Sequence, residues 1–220
     1  MKSKMNLPNK LSVLRLCLVP IILIVGLLTP KFSNDAPSVA FYISSAVCAF
    51  LFIAASITDM LDGKIARKHG LITDFGKFID PIADKFMVIG ALFVLLYKFA
   101  ELEYMMIVLI ITLTIIVFRE LAVTSIRLVA SKSADVVVAA NILGKVKTVM
   151  QIVAISSLFL EPVLQWAFKL IVEAAGGSLA NWRYDILPIS WISITLSVVM
   201  TVWSGIGYIK DCWKYLDPEK

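Results

Sequence analysis

The stretch Tyr104–Ala130, which reads YMMIVLIITLTIIVFRELAVTSIRLVA, is the longest apolar run of the chain. A helix needs about 20 mainly apolar residues to cross roughly 30 Å of hydrocarbon, whereas a membrane strand needs only about 9–11. The charged residues of the run are Arg119, Glu120 and Arg127. Its length excludes a strand and predicts a transmembrane helix.

Five other stretches have a comparable length and apolar character, and none shows the alternation of a β-barrel. They are Leu11–Leu28, Ser38–Ile57, Ile79–Phe99, Thr148–Ile171 and Leu187–Ile209. We therefore expect an all-α integral membrane protein of six transmembrane helices, built as a single domain over residues 1–220. The segment Leu7–Leu16 is expected to form a short interfacial helix ahead of the first span. Lysines before the first span are typical of a signal peptide, but no small-residue cleavage site follows, so we interpret it as a membrane helix.

The composition supports a membrane protein. Of the 220 residues, 60% are apolar and 17% are charged, and the mean hydropathy is +0.89. A chain this short cannot hide so much apolar surface from water, which excludes a soluble domain and a disordered chain. The net charge of +5 indicates contact with anionic lipid and not with nucleic acid. The three cysteines fit neither a disulfide framework nor a metal motif.

The distribution of Lys and Arg predicts the orientation in the membrane. If the N-terminus is cytoplasmic, only Lys31, Lys98, Lys169 and Arg183 of the 21 basic residues lie on the far side. Cytoplasmic loops carry the excess of positive charge in membrane proteins. Both termini are therefore expected on the cytoplasmic side.

Four aspartates lie at one depth, at the ends of two neighbouring spans. Asp59 and Asp62 close the second span, and Asp80 and Asp84 open the third. Spacings of three and four residues place each pair on one helix face. Carboxylates that converge repel one another unless cations join them, and hard oxygen ligands suit Mg²⁺ or Mn²⁺. The pattern predicts a site with two divalent ions, an arrangement that serves phosphoryl transfer.

Residues 59–84 also resemble a known signature. They read Asp59-Met-Leu-Asp62-Gly63-Lys-Ile-Ala66-Arg67, eight residues, Gly76, three residues, Asp80, three residues and Asp84. This is similar to D-x2-D-G-x2-A-R-x8-G-x3-D-x3-D of the CDP-alcohol phosphatidyltransferase family, a family of six-helix membrane enzymes. All fixed positions match.

Three further segments resemble the phosphatidylglycerophosphate synthase branch of that family, so that the resemblance covers about residues 6–155. The first is Asn6–Asn9 with Arg15 and Pro20. The second is Arg119-Glu120 with Thr124, Ser125 and Arg127. The third is Gly144–Thr148 with Gln151.

The resemblance implies an activity and roles for the motif residues. The hydroxyl of sn-glycerol 3-phosphate would attack the lipid-bearing phosphorus of CDP-diacylglycerol, and CMP would leave. Asp59, Asp62 and Asp80 would hold two Mg²⁺ or Mn²⁺ ions, and Asp84 would be a partial ligand and the general base. The CDP-lipid site would be lined by Asp59, Gly63, Ala66, Arg67 and Gly76. The resemblance further implies a homodimer in the bacterial cytoplasmic membrane, with the site on the cytoplasmic side.

A dianionic acceptor also needs cations that do not bind the metals. The candidates are Arg119, Lys145, Arg127, Lys132 and Lys147. Arg119 is preferred because it lies deep in its span and its guanidinium can bind a phosphate through two hydrogen bonds. Arg15 is expected to extend to the membrane interface, and Lys85 to balance the charge of Asp84.

Other functions remain open at this point. A sister enzyme would use another acceptor, as cardiolipin, phosphatidylserine and inositol-phosphate lipid synthases do, and would need fewer cations. A divalent-cation transporter would use intramembrane carboxylates, but a carrier more often shows inverted repeats, and this sequence has no internal repeat.

Overall fold

The computed structural model describes residues 6–33, 37–69, 73–134, 142–179 and 183–213. These residues form six helices and no strand, which confirms the all-α prediction. The helices are α1 (Leu7–Leu27), α2 (Val39–His69), α3 (Asp74–Lys98), α4 (Glu103–Ala134), α5 (Ile142–Ala174) and α6 (Pro188–Cys212).

Five of the six helices are long and apolar enough to cross a membrane, namely α1, α2, α4, α5 and α6. The third helix, α3, is not among them, and it carries Asp80, Asp84, Lys85 and Lys98. The sixth span therefore stays a prediction. Leu7–Leu16, the expected interfacial segment, is the first half of the continuous helix Leu7–Leu27, so no break separates it from the first span. Its position at the membrane interface stays a prediction.

The helices pack with α1 against α2 and α3, α2 against α5, and α6 against α4 and α5. The largest buried apolar cluster includes Ile22, Phe52, Leu95 and Leu158. Some large apolar side chains are mostly exposed to the surroundings, such as Phe118 on α4 and Trp203 on α6. Apolar residues both inside and outside the bundle are what a hydrocarbon environment favours, because water is absent from both.

Aromatic side chains close the end of the bundle that lies away from the aspartates. Phe32, Phe41 and Phe99 contact one another, and Tyr42 stacks on Trp166 with 5.0 Å between ring centroids. Lys98 is fully buried here and donates a hydrogen bond of 2.7 Å to Ser44 Oγ. Its ammonium also lies 4.8 Å from the centroid of the Phe41 ring, a cation–π contact. Lys98 is therefore inside the bundle and not in an exposed loop.

A carboxylate on α5 caps the start of α6. Glu161 is buried, and its two oxygens accept hydrogen bonds from the backbone N–H groups of Ile189 (3.0 Å) and Ser190 (2.7 Å). The first N–H groups of a helix have no partner within the helix and carry partial positive charge. The contact therefore satisfies two such donors and attaches α6 to α5.

Both halves of the aspartate motif are helical. The second helix continues past the apolar span to His69, and α3 begins at Asp74. Thr73 caps α3, since its Oγ1 accepts a hydrogen bond of 3.0 Å from the backbone N–H of Gly76. The motif therefore lies on two helix ends that extend the apolar spans.

Candidate active site

Three polar residues of α1 face the motif. Asn9, Ser12 and Arg15 are each three residues apart and are all buried. This spacing puts them along one face of the helix, in line with the buried apolar residues Val19 and Ile22 further on. The first half of α1 therefore forms a wall of the site, and the second half packs in the core.

Arg15 is the centre of this wall. Its side chain is fully buried, and its Nη1 pairs with Asp59 Oδ1 and with Asp84 Oδ1, the latter at 2.5 Å. The expectation that Arg15 extends to the membrane interface was wrong. A buried guanidinium is stable only where carboxylates compensate its charge, and two helices supply them here.

The third described aspartate of the motif is also held by α1. Ser12 Oγ donates a hydrogen bond of 2.5 Å to Asp80 Oδ1. Asp59 of α2 and Asp80 and Asp84 of α3 thus meet the same face of α1. The side chains of Asp62, Ala66 and Arg67 and the surroundings of Gly63 lie outside the described part of the chain.

The chemistry of these side chains fits a divalent cation. Asp59 and Asp84 already share a cation in the Arg15 guanidinium, while their side chains keep 33% and 49% of their surface exposed. Each carboxylate therefore has an oxygen surface open to another ligand. Among the residues with described side chains, which do not include Asp62, no three acidic, His or Cys residues are arranged to hold a metal ion.

Gly76 allows α1 and α3 to approach closely. A Cβ atom at this position would lie 2.9 Å from Asn9 Oδ1 and 3.3 Å from Thr73 Oγ1. Asn9 Oδ1 itself accepts a hydrogen bond of 3.0 Å from Thr73 Oγ1. Gly76 therefore lies beside the carboxylates at a position without space for a side chain.

A second charged cluster joins α4, α5 and α6. Glu120 Oε1 accepts hydrogen bonds from Arg119 Nη1 at 3.1 Å and from Lys147 Nζ. Arg119 Nη2 also donates to Ser204 Oγ at 2.5 Å. All three charged side chains are largely buried, and Lys147 is exposed by only 7%. We call Arg119, Glu120 and Lys147 the cation cluster.

Lys85 connects the aspartates to the cation cluster. Its Nζ donates a hydrogen bond of 2.5 Å to Thr124 Oγ1 on α4, and it interacts electrostatically with Glu120. Successive helical residues point about 100° apart, so Asp84 contacts α1 while Lys85 reaches α4. The two clusters therefore lie on adjacent sides of α3.

Not all predicted acceptor residues join the cation cluster. Arg127 lies over the ring of Tyr208, with its Nε 3.3 Å from the hydroxyl. Lys145 is exposed at the start of α5. The side chain of Lys132 lies outside the described residues. Of the five candidates, the structure thus brings together Arg119 and Lys147.

Several contact residues were missed by the sequence interpretation. Asn9 was noted only as part of a resemblance, and Ser12 and Ser204 were not singled out. Lys85 was expected only to balance the charge of Asp84. Arg15 carried a usable signal, because a charge inside the first apolar helix is costly and is usually functional. Ser204 carried none, since serines are common in membrane helices.

Comparisons with known proteins agree with the motif. A family model described as CDP-alcohol phosphatidyltransferase matches residues 5–203. A Bacillus subtilis protein named CDP-diacylglycerol--glycerol-3-phosphate 3-phosphatidyltransferase is 37% identical over 212 residues, covering 96% of this chain and 97% of its own length. A Rickettsia bellii protein of the same name is 33% identical over 219 residues, covering 98% and 99%. A Mycobacterium tuberculosis protein named probable phosphatidylglycerophosphate synthase is 39% identical over 158 residues, covering 72% and 67%.

Proposed function

The chain belongs to the CDP-alcohol phosphatidyltransferase family, and on that premise we propose that it transfers a phosphatidyl group from CDP-diacylglycerol to sn-glycerol 3-phosphate. The acceptor hydroxyl forms the new bond to phosphorus, the bond to CMP breaks, and the hydroxyl proton passes to a carboxylate. The products are phosphatidylglycerophosphate and CMP.

The observation that carries this proposal is the meeting of Asp59, Asp80 and Asp84 around α1. Asp59, Asp62, Asp80 and Asp84 would hold two Mg²⁺ or Mn²⁺ ions, which neutralise charge that develops on the phosphate oxygens. Asp84 is the proposed general base. Its exposed oxygen surface leaves it open to an acceptor hydroxyl, and a base must come within hydrogen-bond reach of the proton that it takes.

The donor is proposed to bind along the helix ends that carry the motif. Asp59, Gly63, Ala66, Arg67 and Gly76 would line the CDP-lipid site. The planar fork of Arg67 matches a phosphate, and the small residues allow close approach of the nucleotide.

The acceptor phosphate is proposed to bind at the cation cluster. Arg119 and Lys147 of the cluster and the neighbouring Lys85 contribute three positive charges against one negative charge from Glu120. The net excess of positive charge suits a dianion. Lys145, Arg127 and Lys132 remain candidates for an outer part of the same site. Serine or a neutral alcohol would leave the buried excess charge uncompensated, which favours glycerol 3-phosphate over such acceptors.

We also propose the membrane arrangement. The single domain of residues 1–220 crosses the membrane six times, with both termini and the site on the cytoplasmic side, because the basic residues concentrate there. The protein forms a homodimer in a bacterial cytoplasmic membrane. Exposed apolar side chains on α3 and α4, such as Phe93 and Phe118, are available to a second copy.

The test is CMP release by the purified protein with CDP-diacylglycerol and Mg²⁺ or Mn²⁺. Glycerol 3-phosphate, serine, inositol 1-phosphate and phosphatidylglycerol are supplied one at a time. Release with glycerol 3-phosphate alone is the expected result. Release with another acceptor would retain the transfer chemistry and refute the acceptor assignment, and no release from folded protein would refute the enzyme itself.

A further inference from the structure

Arg15 touches the two carboxylates that are proposed to share metal ions. Its guanidinium is fully enclosed and pairs through one nitrogen with Asp59 and with Asp84. These two aspartates come from different helices, 25 positions apart in the chain. The positive charge of Arg15 thus contacts carboxylate oxygens that a divalent cation would also bind.

The charge of Arg15 has two opposing effects on such a cation. It offsets the repulsion between neighbouring carboxylates, which stabilises the fold when few other cations are bound. It also repels a dication and occupies lone pairs that the dication needs. Coulomb energy at a given distance is larger where the effective dielectric constant is below that of water, so a full charge in direct contact has a large effect in a partly buried site.

From this geometry we propose that Arg15 is a positioning residue and an internal counter-ion that competes with a divalent cation for Asp59 and Asp84. The inference rests on the proposed function, since it uses the proposed metal ligands. Binding of the divalent cation displaces the guanidinium from at least one carboxylate. Arg15 thereby lowers the affinity for the metal and stabilises the protein at low metal concentration.

The other contacts of α1 make this inference testable. Ser12 still binds Asp80, and Asn9 still accepts from Thr73, when Arg15 is replaced. Val19 and Ile22 anchor the second half of α1 in the core. Loss of the guanidinium therefore leaves α1 attached to α3 through contacts that do not involve position 15.

The experiment compares wild type with Arg15→Met, which keeps an unbranched side chain and removes the charge. The proteins are purified in detergent, stripped of divalent ions with EDTA and titrated with Mn²⁺, and free Mn²⁺ is measured by electron paramagnetic resonance. We expect the Kd for Mn²⁺ to fall by about tenfold or more in Arg15→Met. The melting temperature should fall in EDTA, and this deficit should shrink or reverse in saturating Mn²⁺.

Three further variants separate the effect of the charge at position 15 on Mn²⁺ binding from its effect on folding. Arg15→Gln also removes the charge but keeps hydrogen-bond donors, so it should tighten Mn²⁺ binding even if Arg15→Met does not fold. Arg15→Lys keeps the charge and should bind Mn²⁺ as wild type does. Lys98→Met removes a buried cation far from the aspartates, so it should lose the same stability with and without Mn²⁺ and leave the Kd unchanged.

Unchanged or weaker Mn²⁺ binding in both neutral variants would overturn the inference. Absence of Mn²⁺ binding to the wild type and to both neutral variants would also overturn it, because there would be no ion with which Arg15 competes. The proposed transfer reaction is judged separately by CMP release from the wild type. An active wild type whose neutral variants bind Mn²⁺ no more tightly would therefore refute the role of Arg15 alone.

Discussion

Arg119 Nη2 donates a hydrogen bond of 2.5 Å to Ser204 Oγ, which joins residues 85 positions apart in the chain. The contact brings α6 to the cation cluster. The backbone of α6 is close as well, since a Cβ atom on Gly205 would lie 3.2 Å from Arg119 Cγ. Arg119 is therefore held on one side by Glu120 and on the other by α6, in a fixed position for binding an anion.

We predict that Arg119→Ala raises the KM for glycerol 3-phosphate by about ten- to a hundredfold and changes the KM for CDP-diacylglycerol much less. Hydrogen bonds to charged groups contribute about 1.5–3 kcal/mol, and the acceptor is the substrate whose phosphate is proposed to bind at this cluster. Initial rates with each substrate varied in turn provide the measurement. The control is Arg183→Ala, because Arg183 pairs with Asp185 in a loop remote from the cation cluster. Equal changes in both KM values would remove Arg119 from the acceptor site.

We predict that Asp84→Asn lowers the rate of transfer by about 10²–10⁴-fold, because the amide cannot accept the hydroxyl proton. The protein should remain folded in detergent, as judged by gel filtration and circular dichroism. Glu101→Gln replaces an exposed acid at the far end of the bundle and should retain wild-type activity. Turnover near the wild-type rate in Asp84→Asn would exclude this residue as the base.

We predict that Gly76→Ala lowers stability by about 1–3 kcal/mol and reduces transfer, because the new methyl group meets Asn9 and Thr73. Thermal unfolding in detergent and CMP release are the readouts. The double variant Asn9→Ala, Gly76→Ala should recover part of the stability, since the contact at 2.9 Å disappears. Gly144→Ala serves as the control, because no atom lies within 4 Å of its added Cβ and alanine favours the helix. A fully stable and active Gly76→Ala variant would contradict the close packing of α1 on α3.

We predict that Glu161→Gln destabilises the protein by about 1–3 kcal/mol, because it removes a buried charge from the N-terminus of α6. Thermal unfolding in detergent measures the loss. Glu173→Gln changes an exposed acid of the same helix that pairs with Lys169, and it should shift stability by less than about 0.5 kcal/mol. If Glu161→Gln and Glu173→Gln lower the stability by the same amount, the contact of Glu161 with α6 makes no special contribution to stability.

The helices could be predicted because the signal is local. Apolar stretches of sufficient length predict spans wherever they lie, and five of the helices meet this criterion in the structure. The spacing within each aspartate pair places its members on one face, and the two helices that carry the pairs do meet at Asp59 and Asp84 through Arg15. The ends of the helices were less predictable, since α2 continues to His69 past the apolar residues.

The sequence by itself determined the class of the fold, the motif and the chemistry of its side chains, because length, hydropathy and residue spacing are properties of a single segment. Only the tertiary structure decided that Arg15 lies between Asp59 and Asp84. It also decided that Arg119 donates hydrogen bonds to both Glu120 and Ser204. Arg127, in contrast, contacts Tyr208 and not the cation cluster. These contacts depend on how each helix is rotated about its axis and on which neighbour it meets. Packing of whole helices sets both, and a buried charge then pairs with whichever partner that packing brings within reach.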